Sequence, residues 1–535
     1  MIRRPIKLLI APILLLMAGA RYGAADEYPG ERVEPAADAP SPMISLIEQP
    51  SAEDATISAN RVEELETRIG ELEYTLSEMQ SNSTPPPANG GAGGMKAKWG
   101  SNGFEAESAN KEFRVHIGGR VQVDAVALSA PNLVLGGVGD DDAVDFRRAR
   151  LRIDGTMYHT MEWATEFDFV NAVDVDPTAG GATPINAFGG DVAHTVAPTD
   201  LWWNFGELPW VHNIRIGNMK EPIGLEHIAS SRFLDFMERS YLQDAFYGPF
   251  NNGFSPGVML HGYNEPESVT WAIGGFKNTQ NVFAYDTGDN EYALTGRLTC
   301  VPYAACDDRY LVHLGVGSSY RGLDQDANPA VGNVRIRSRA SLRNGPGPLN
   351  PTLADTNFAG RIFAENETLV APEAAIVAGP WHAQAEYVAG FLNSATFTPI
   401  AGAPIDVDQV YVQGSYVQLL YFLTGEHRIY DRHEARFGRV APYRNAIGRG
   451  GLTGPGAWQL GARYGYLDLN DSGIDGGYIQ DLTVGLNWFL NPFSKFQFNY
   501  IYQRVDNTQR DSLGIITAEN DDELNGFGVR FAHDF

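Results

Sequence analysis

Arginine stands at every second position in the middle of Asp145–Tyr158, DFRRARLRIDGTMY. Arg148, Arg150 and Arg152 share one face with Asp154 and Thr156, while Leu151, Ile153 and Met157 share the other. Arg335, Arg337 and Arg339 form a second row, facing away from Val334, Ile336 and Ser338. A guanidinium offers planar, bidentate donors to an oxyanion, so stacked rows could pass an anion from one site to the next. The competing use is structural. The same arginines could pair with carboxylates such as Glu166, Asp168, Glu373 and Glu386 and stiffen a wall.

Extended strands must carry these rows, because a period of two survives only in β backbone. From Phe113 onward the split recurs. Val115, Ile117, Val121, Val123 and Ala125 oppose Arg114, His116, Arg120, Gln122 and Asp124. Phe167 and Phe169 oppose Glu166 and Asp168, and Phe496, Phe498, Tyr500 and Tyr502 oppose Gln497, Asn499 and Gln503. Such segments, separated by Gly, Pro, Asn and Asp clusters, number about 17, close to an even-numbered barrel with a wet lumen and a lipid-facing exterior. Trp203, Trp271, Trp488 and Tyr466 are expected near strand ends, at the membrane interfaces. The chain ends GFGVRFAHDF, with Phe527, Val529, Phe531 and the terminal Phe535 on one face, a strand suited to the barrel assembly machinery.

The N-terminal part reads differently. Arg3, Arg4 and Lys7 precede an apolar run from Leu8 to Met17 and the small residues Ala18, Gly19 and Ala20, so residues 1–25 read as a secretory signal. No later stretch approaches ~20 apolar residues, which excludes a helical membrane span. Residues 26–56 are an acid-, Ala- and Pro-rich tether. Within 57–80, Val62, Leu65, Ile69, Leu72, Leu76 and Met79 follow the spacing of a short coiled coil, and 81–112 read as a Pro/Gly-rich linker. The formal charge is -26; residues 1–25 carry +4 and 26–80 carry -11, leaving -19 for 81–535. An acidic surface argues against a nucleic-acid partner. Cys300 and Cys306, the only cysteines, are expected to close a small loop through a disulfide in an exported protein. The 11 histidines are scattered and DLNDSGIDG at 468–476 lacks the ligand spacing of a calcium loop, so no enzyme, cofactor or metal is expected.

Seven segments, in order, carry a more specific likeness: FRRARLRIDG at 146–155, IRIGNMKEPIGLE at 214–226, SSRFLDFMER at 230–239, VRIRSR at 334–339, FLTGEHRIY at 422–430, GAWQLGARYGYLDLND at 456–471 and LNWFLNP at 486–492. Over residues 113–535 the chain resembles the phosphate-selective porin O and P family. The resemblance implies a barrel of about 16 strands, a homotrimer, and an anion channel. It carries the family's arginine ladder onto Arg147, Arg148, Arg335, Arg337 and Arg339, although alternation alone turns Arg147 away from a lumen. It also implies an inward-folding constriction loop from Gly224 to Asn252, with Arg232 where a lysine often stands.

One departure weakens the phosphate site. Where the family has Arg-Val-Lys-Pro, this chain has Arg439, Val440, Ala441 and Pro442. Arg432, Arg436 and Arg439 could restore charge there but not the compact ammonium. The resulting expectation is an all-β protein, a transmembrane antiparallel barrel of about 16 strands preceded by a short periplasmic coiled-coil helix, in the outer membrane of a Gram-negative-type bacterium. It would pass small anions, phosphate among them, with moderate selectivity. The alternatives are a general diffusion porin with little anion preference and a plugged barrel that tethers the envelope.

Overall fold

The computed structural model describes residues 94–535 except 101, 130–140, 171, 174–192, 195, 249–252, 279–289, 330, 344–350, 449–450, 472 and 511–515. The expected signal, tether and coiled coil lie outside the described residues. Alternating sequence produces sixteen long antiparallel strands. The first eight are β1 Phe113–Ser129, β2 Asp141–Met157, β3 Met161–Asp168, β4 Ala197–Leu208, β5 His212–Lys220, β6 Phe254–Tyr263, β7 Val269–Lys277 and β8 Tyr292–Ala305. The rest are β9 Tyr310–Gly322, β10 Asn366–Ala378, β11 Trp381–Pro399, β12 Ile405–Phe422, β13 Ala457–Asp471, β14 Ile474–Asn491, β15 Ser494–Arg510 and β16 Ile516–Asp534. Each pairs with the next, and β16 returns to β1 from Asn525 opposite Ser129 to Asp534 opposite Arg120. Closure leaves the barrel without a free edge.

The two faces sort by solvent. Val144, Leu151, Leu294, Leu298, Val417 and Leu419 are exposed on the outside, where lipid covers them, while Gln122, Glu166, Arg463, Gln497 and Arg530 are buried inside. Short turns such as 158–160, 209–211, 379–380 and 492–493 share one end with Phe113 and Phe535; in this class of barrel that end is periplasmic. Aromatic pairs ring it: Phe113 with Tyr158 at 4.9 Å, Trp381 with Tyr421 at 4.5 Å, Trp458 with Trp488 at 5.0 Å and Phe496 with Phe531 at 5.1 Å. Tyr466 meets Tyr478 at 5.3 Å in the opposite half of the barrel.

Two expectations need correction. The linker read over 81–112 ends in structure: Met95–Gly100 and Gly103–Ser108 form a hairpin, turned by Gly103 at φ 87°, that pairs with the start of β1. Cys300 and Cys306 are both unbonded. Cys300 lies in β8 and Cys306 begins the turn after it. Six residues of extended chain separate their Cα atoms by roughly 20 Å, against the ~7 Å a disulfide tolerates.

Phe535 seals the seam. Its N–H donates to the Gly119 carbonyl at 3.1 Å, and the Gly119 N–H donates to the Phe535 carbonyl at 2.8 Å. Deleting Phe535 removes both bonds at the strand pair that closes the barrel, each worth about 1 kcal/mol. The expected result is a lower yield of folded barrel and a lower temperature for the mobility shift on semi-denaturing gels. Wild-type yield and transition would contradict it.

Candidate functional site

The first arginine row faces the lumen, as alternation predicts. Arg150 donates to Asp168 at 2.7 Å and Glu166 at 3.0 Å, Arg152 to Asp154 at 2.9 Å and Asp200 at 2.7 Å, and Arg148 to Gln122 at 2.8 Å. Arg147 faces it too, which alternation does not predict. Gln122 pairs with Arg148 and Val123 with Phe146, so Arg147 is an extra residue, a β-bulge that shifts the phase of β2 by one. Both neighbouring arginines thereby point inward.

What Arg147 meets is the loop between β5 and β6, residues 221–253, which folds back into the barrel through α1, Leu225–Ile228. Arg147 grips Glu238 of that loop with Nε and Nη2 at 2.9 and 3.0 Å. Arg530 of β16 donates to the same carboxylate at 2.8 Å, and Arg148 and Arg343 stand 3.9 and 3.8 Å away. Burial by itself would raise the Glu238 carboxyl; Arg147, Arg148, Arg530 and Arg343 hold it well below the usual carboxylate range. Glu386, expected to face an arginine, instead accepts the main-chain N–H groups of Leu225 and Glu226 at 2.9 and 2.7 Å, at the start of α1. Glycines make room for the loop's apolar face. A Cβ on Gly485 would lie 3.0 Å from the Phe236 ring, and one on Gly528 would lie 2.9 Å from the Met237 sulfur.

The second arginine row is not on the barrel wall. Its alternation is real, with Ile336 and Ser338 buried, but Arg337–Arg339 pairs with Thr352–Asp355 inside the long loop between β9 and β10. Ile336, Leu342 and Leu353 join an apolar cluster with Ile479, Ile501 and Val505 of the wall, which keeps this short hairpin in the lumen. Arg335 binds Asp355 in a fork, and Arg339 binds Asp244 at 3.0 and 3.1 Å. Arg343 also reaches Asp244, at 2.9 Å, so this carboxylate ties the two inward loops together. Burial would raise the Asp244 carboxyl, but Arg339 and Arg343 hold it far lower.

From the periplasmic end a third segment, 423–456, enters between β12 and β13. Buried His313 holds it through the Tyr430 hydroxyl at 2.7 Å, and Arg297 through the Ala435 carbonyl at 2.9 Å. The three arginines singled out in the sequence, Arg432, Arg436 and Arg439, do not converge. Arg432 pairs with Asp308 in a turn, Arg439 pairs with Asp534 and lies over the Phe493 ring at 4.4 Å, and Arg436 alone of the three lines the central cavity. The arginines therefore do not rebuild a cluster around Ala441. Arg232 sits in the inward loop, 3.8 Å from Glu166 and 3.9 Å from Asp534. Burial, then the neighbouring Arg120, depresses its pKa to about 10.

The central cavity runs between these loops and strands β1–β8. Ten cations line it (Arg120, Arg147, Arg148, Arg150, Arg215, Lys220, Arg239, Arg297, Arg343 and Arg436) against five carboxylates, Glu166, Asp200, Glu238, Asp244 and Glu434. A profile described as "Phosphate-selective porin O and P" matches residues 115–535, most of the chain. The chain belongs to that family. It forms an outer-membrane porin channel. Among curated relatives, Porin O of Pseudomonas aeruginosa is 24% identical over 452 residues, covering 81% of this chain and 91% of its own. An uncharacterized protein of Caulobacter vibrioides is 26% identical over 466 residues, covering 85% and 80%. An anion-selective porin from Comamonas acidovorans superposes with a TM-score of 0.43 at 10% identity, covering 79% of this porin and 100% of that chain.

Several residues of the cavity and of the Glu238 cluster escaped the sequence reading. Arg215, Arg297 and Arg530 alternate with apolar neighbours and were legible as lumen-facing. Arg239 and Arg343 lie in loops without period, where only the tertiary fold brings them inward.

The latch at Glu238 is testable. Glu238→Gln removes a buried charge shared by four arginines, a loss of about 3 kcal/mol or more. The inward loop should then fluctuate, and single channels should flicker where wild-type current is quiet. The pH dependence has a definite sign. A depressed carboxyl pKa stabilises the folded loop above its ordinary value of 4.5 and loses that contribution only as pH falls through the lower folded value. Wild-type channels should therefore stay quiet at pH 4.5 and begin to flicker only in stronger acid; flicker setting in between pH 6 and 4.5 would refute the latch.

Proposed function

We propose that this porin is a moderately anion-selective channel for small anions such as phosphate, working as a homotrimer embedded in outer-membrane lipid. The observation that supports the sign is the twofold excess of cations over carboxylates around the central cavity. Two of these cations meet acceptors without net charge. Lys220 donates to the His227 and Ala229 carbonyls, and Arg239 to the Glu226 and Ala229 carbonyls. In addition, Nε of Arg120 and Nε of Arg343 are buried without a hydrogen-bond acceptor. The acidic outer loops matter less, since salt screens charges beyond ~8 Å.

Tight phosphate binding is not part of the proposal. Ala441 stands where a lysine is usual, and Arg147, Arg150, Arg152, Arg335 and Arg339 are already held by carboxylates. That pairing favours the second reading, a general diffusion porin with little anion preference.

Reversal potentials in a KCl gradient separate the two. The wild-type potential should have the sign of anion preference. Lys220→Gln with Arg239→Gln should shift it toward cations, and Ala441→Lys should strengthen phosphate block of the chloride current. A potential near zero in the wild type, unmoved in the double variant, would establish the unselective channel.

A further inference from the structure

The lipid-facing column of β16 does not stop at the aromatic belt. Phe527, Val529 and Phe531 face outward, and by the same alternation His533 and Phe535 end the column at the periplasmic rim. Beside them lies a groove of about 700 Å³, the size of a small-molecule site, walled by Trp99, Ile447, Pro492, Phe493 and Phe535. Three further pieces of chain build it: the N-terminal hairpin, the turn after β14, and a short hairpin of segment 423–456 in which Ile447–Gly448 pairs with Gly451–Leu452. Trp99 is 74% exposed, Ile447 43% and Leu452 79%, so large apolar groups stand open at the rim where the wall meets lipid.

The short hairpin is tied to the outer side of the barrel. Trp458 and Trp488, a stacked pair of the belt, both donate their indole N–H to the Pro455 carbonyl, at 3.0 and 2.9 Å. Groove and belt therefore form one surface, and the lipid of the periplasmic leaflet that covers the belt reaches the groove as well. Polar groups edge it. Asn445 and Asn491 line the groove, and Arg444, next to Asn445, is exposed with the neutral Thr453 carbonyl 3.3 Å away as its acceptor. A guanidinium so placed offers its remaining donors to a phosphate. We propose that the groove binds one phospholipid of the periplasmic leaflet: its acyl chains lie against Ile447, Phe493 and Phe535, and its phosphate meets Arg444. Such a lipid bridges the closing strand β16 and segment 423–456 from outside. The inference rests on the outer-membrane barrel and is independent of the sign of its ion selectivity.

Native mass spectrometry of the delipidated full-length porin with added dioleoylphosphatidylglycerol tests the occupant, with oleate as the probe that lacks the phosphate. One phospholipid per protomer should survive at collision energies that strip oleate. Arg444→Gln should bring phospholipid retention down to that of oleate. Trp99→Ser with Ile447→Ser should weaken it on the order of tenfold, the effect of no longer removing about 60 Å² of apolar surface from water, while Ile447→Leu should keep it. Equal retention of phospholipid and oleate by the wild type overturns the proposal, whether or not a variant folds. Spin labels in phosphatidylglycerol vesicles report what covers the hairpin, one at Leu452→Cys and one at the outward wall residue Leu419→Cys, each with Cys300→Ser and Cys306→Ser. Oxygen should relax both labels more than a water-soluble nickel chelate does. A Leu452 label that favours nickel, or is shielded from both as by a second protein, overturns the inference and leaves the barrel in the membrane. A Leu419 label that favours nickel overturns the membrane reading itself.

Discussion

The buried carboxylate of Glu238 is the contact on which the interior arrangement depends. It sits in a loop that leaves the barrel at Lys220 and returns at Phe254, and it is gripped by Arg147 from β2 and Arg530 from β16. Those two strands flank β1, at the seam where the chain closes on itself. This buried charge thus ties the inward loop to the seam. Such a group is costly to bury and tolerable only because several cations share it. Arg530 also donates to Asp124 at 2.7 and 2.6 Å, so the network continues across the closing strand pair.

The lumen consequently divides into two walls of different chemistry. Along β10–β16 glycines and apolar residues receive Phe236, Met237 and Leu242, and the loop backbone is held by polar wall side chains such as Asn487 and Gln497. Here the wall is a packed interior. Along β1–β8 the wall borders the central cavity, and it holds the arginines of the first row. The central cavity lies on this side, away from the packed loops.

Charge inside such a channel does two jobs. Arg150 and Arg152 each face two carboxylates and stiffen the wall. Lys220 and Arg239 are oriented by carbonyl groups, which fix their position without cancelling their charge. The first arrangement gives rigidity at little net field; the second leaves the cationic charge without a paired carboxylate. The two coexist within one cavity, so the count of arginines in the sequence overstates the charge left uncompensated.

Period-two patterning alone determined which residues face lipid and which face the lumen along most strands, because a strand's side chains alternate whatever its neighbours are. Arg148, Arg150 and Arg152 were placed correctly on that ground, as were Glu166, Gln497 and Gln503. The tertiary structure decided the rest. Arg147 points inward because β1 and β2 differ by one residue in their pairing, a cross-strand register that neither strand's own pattern contains. The VRIRSR segment alternates like a wall strand yet belongs to a loop hairpin, since its apolar face finds a partner inside the barrel rather than lipid. Arg239, Arg343 and Glu238 carry no local signal. Glu238 and Arg343 meet because two segments far apart in sequence return to one lumen, and only the closed barrel brings them there.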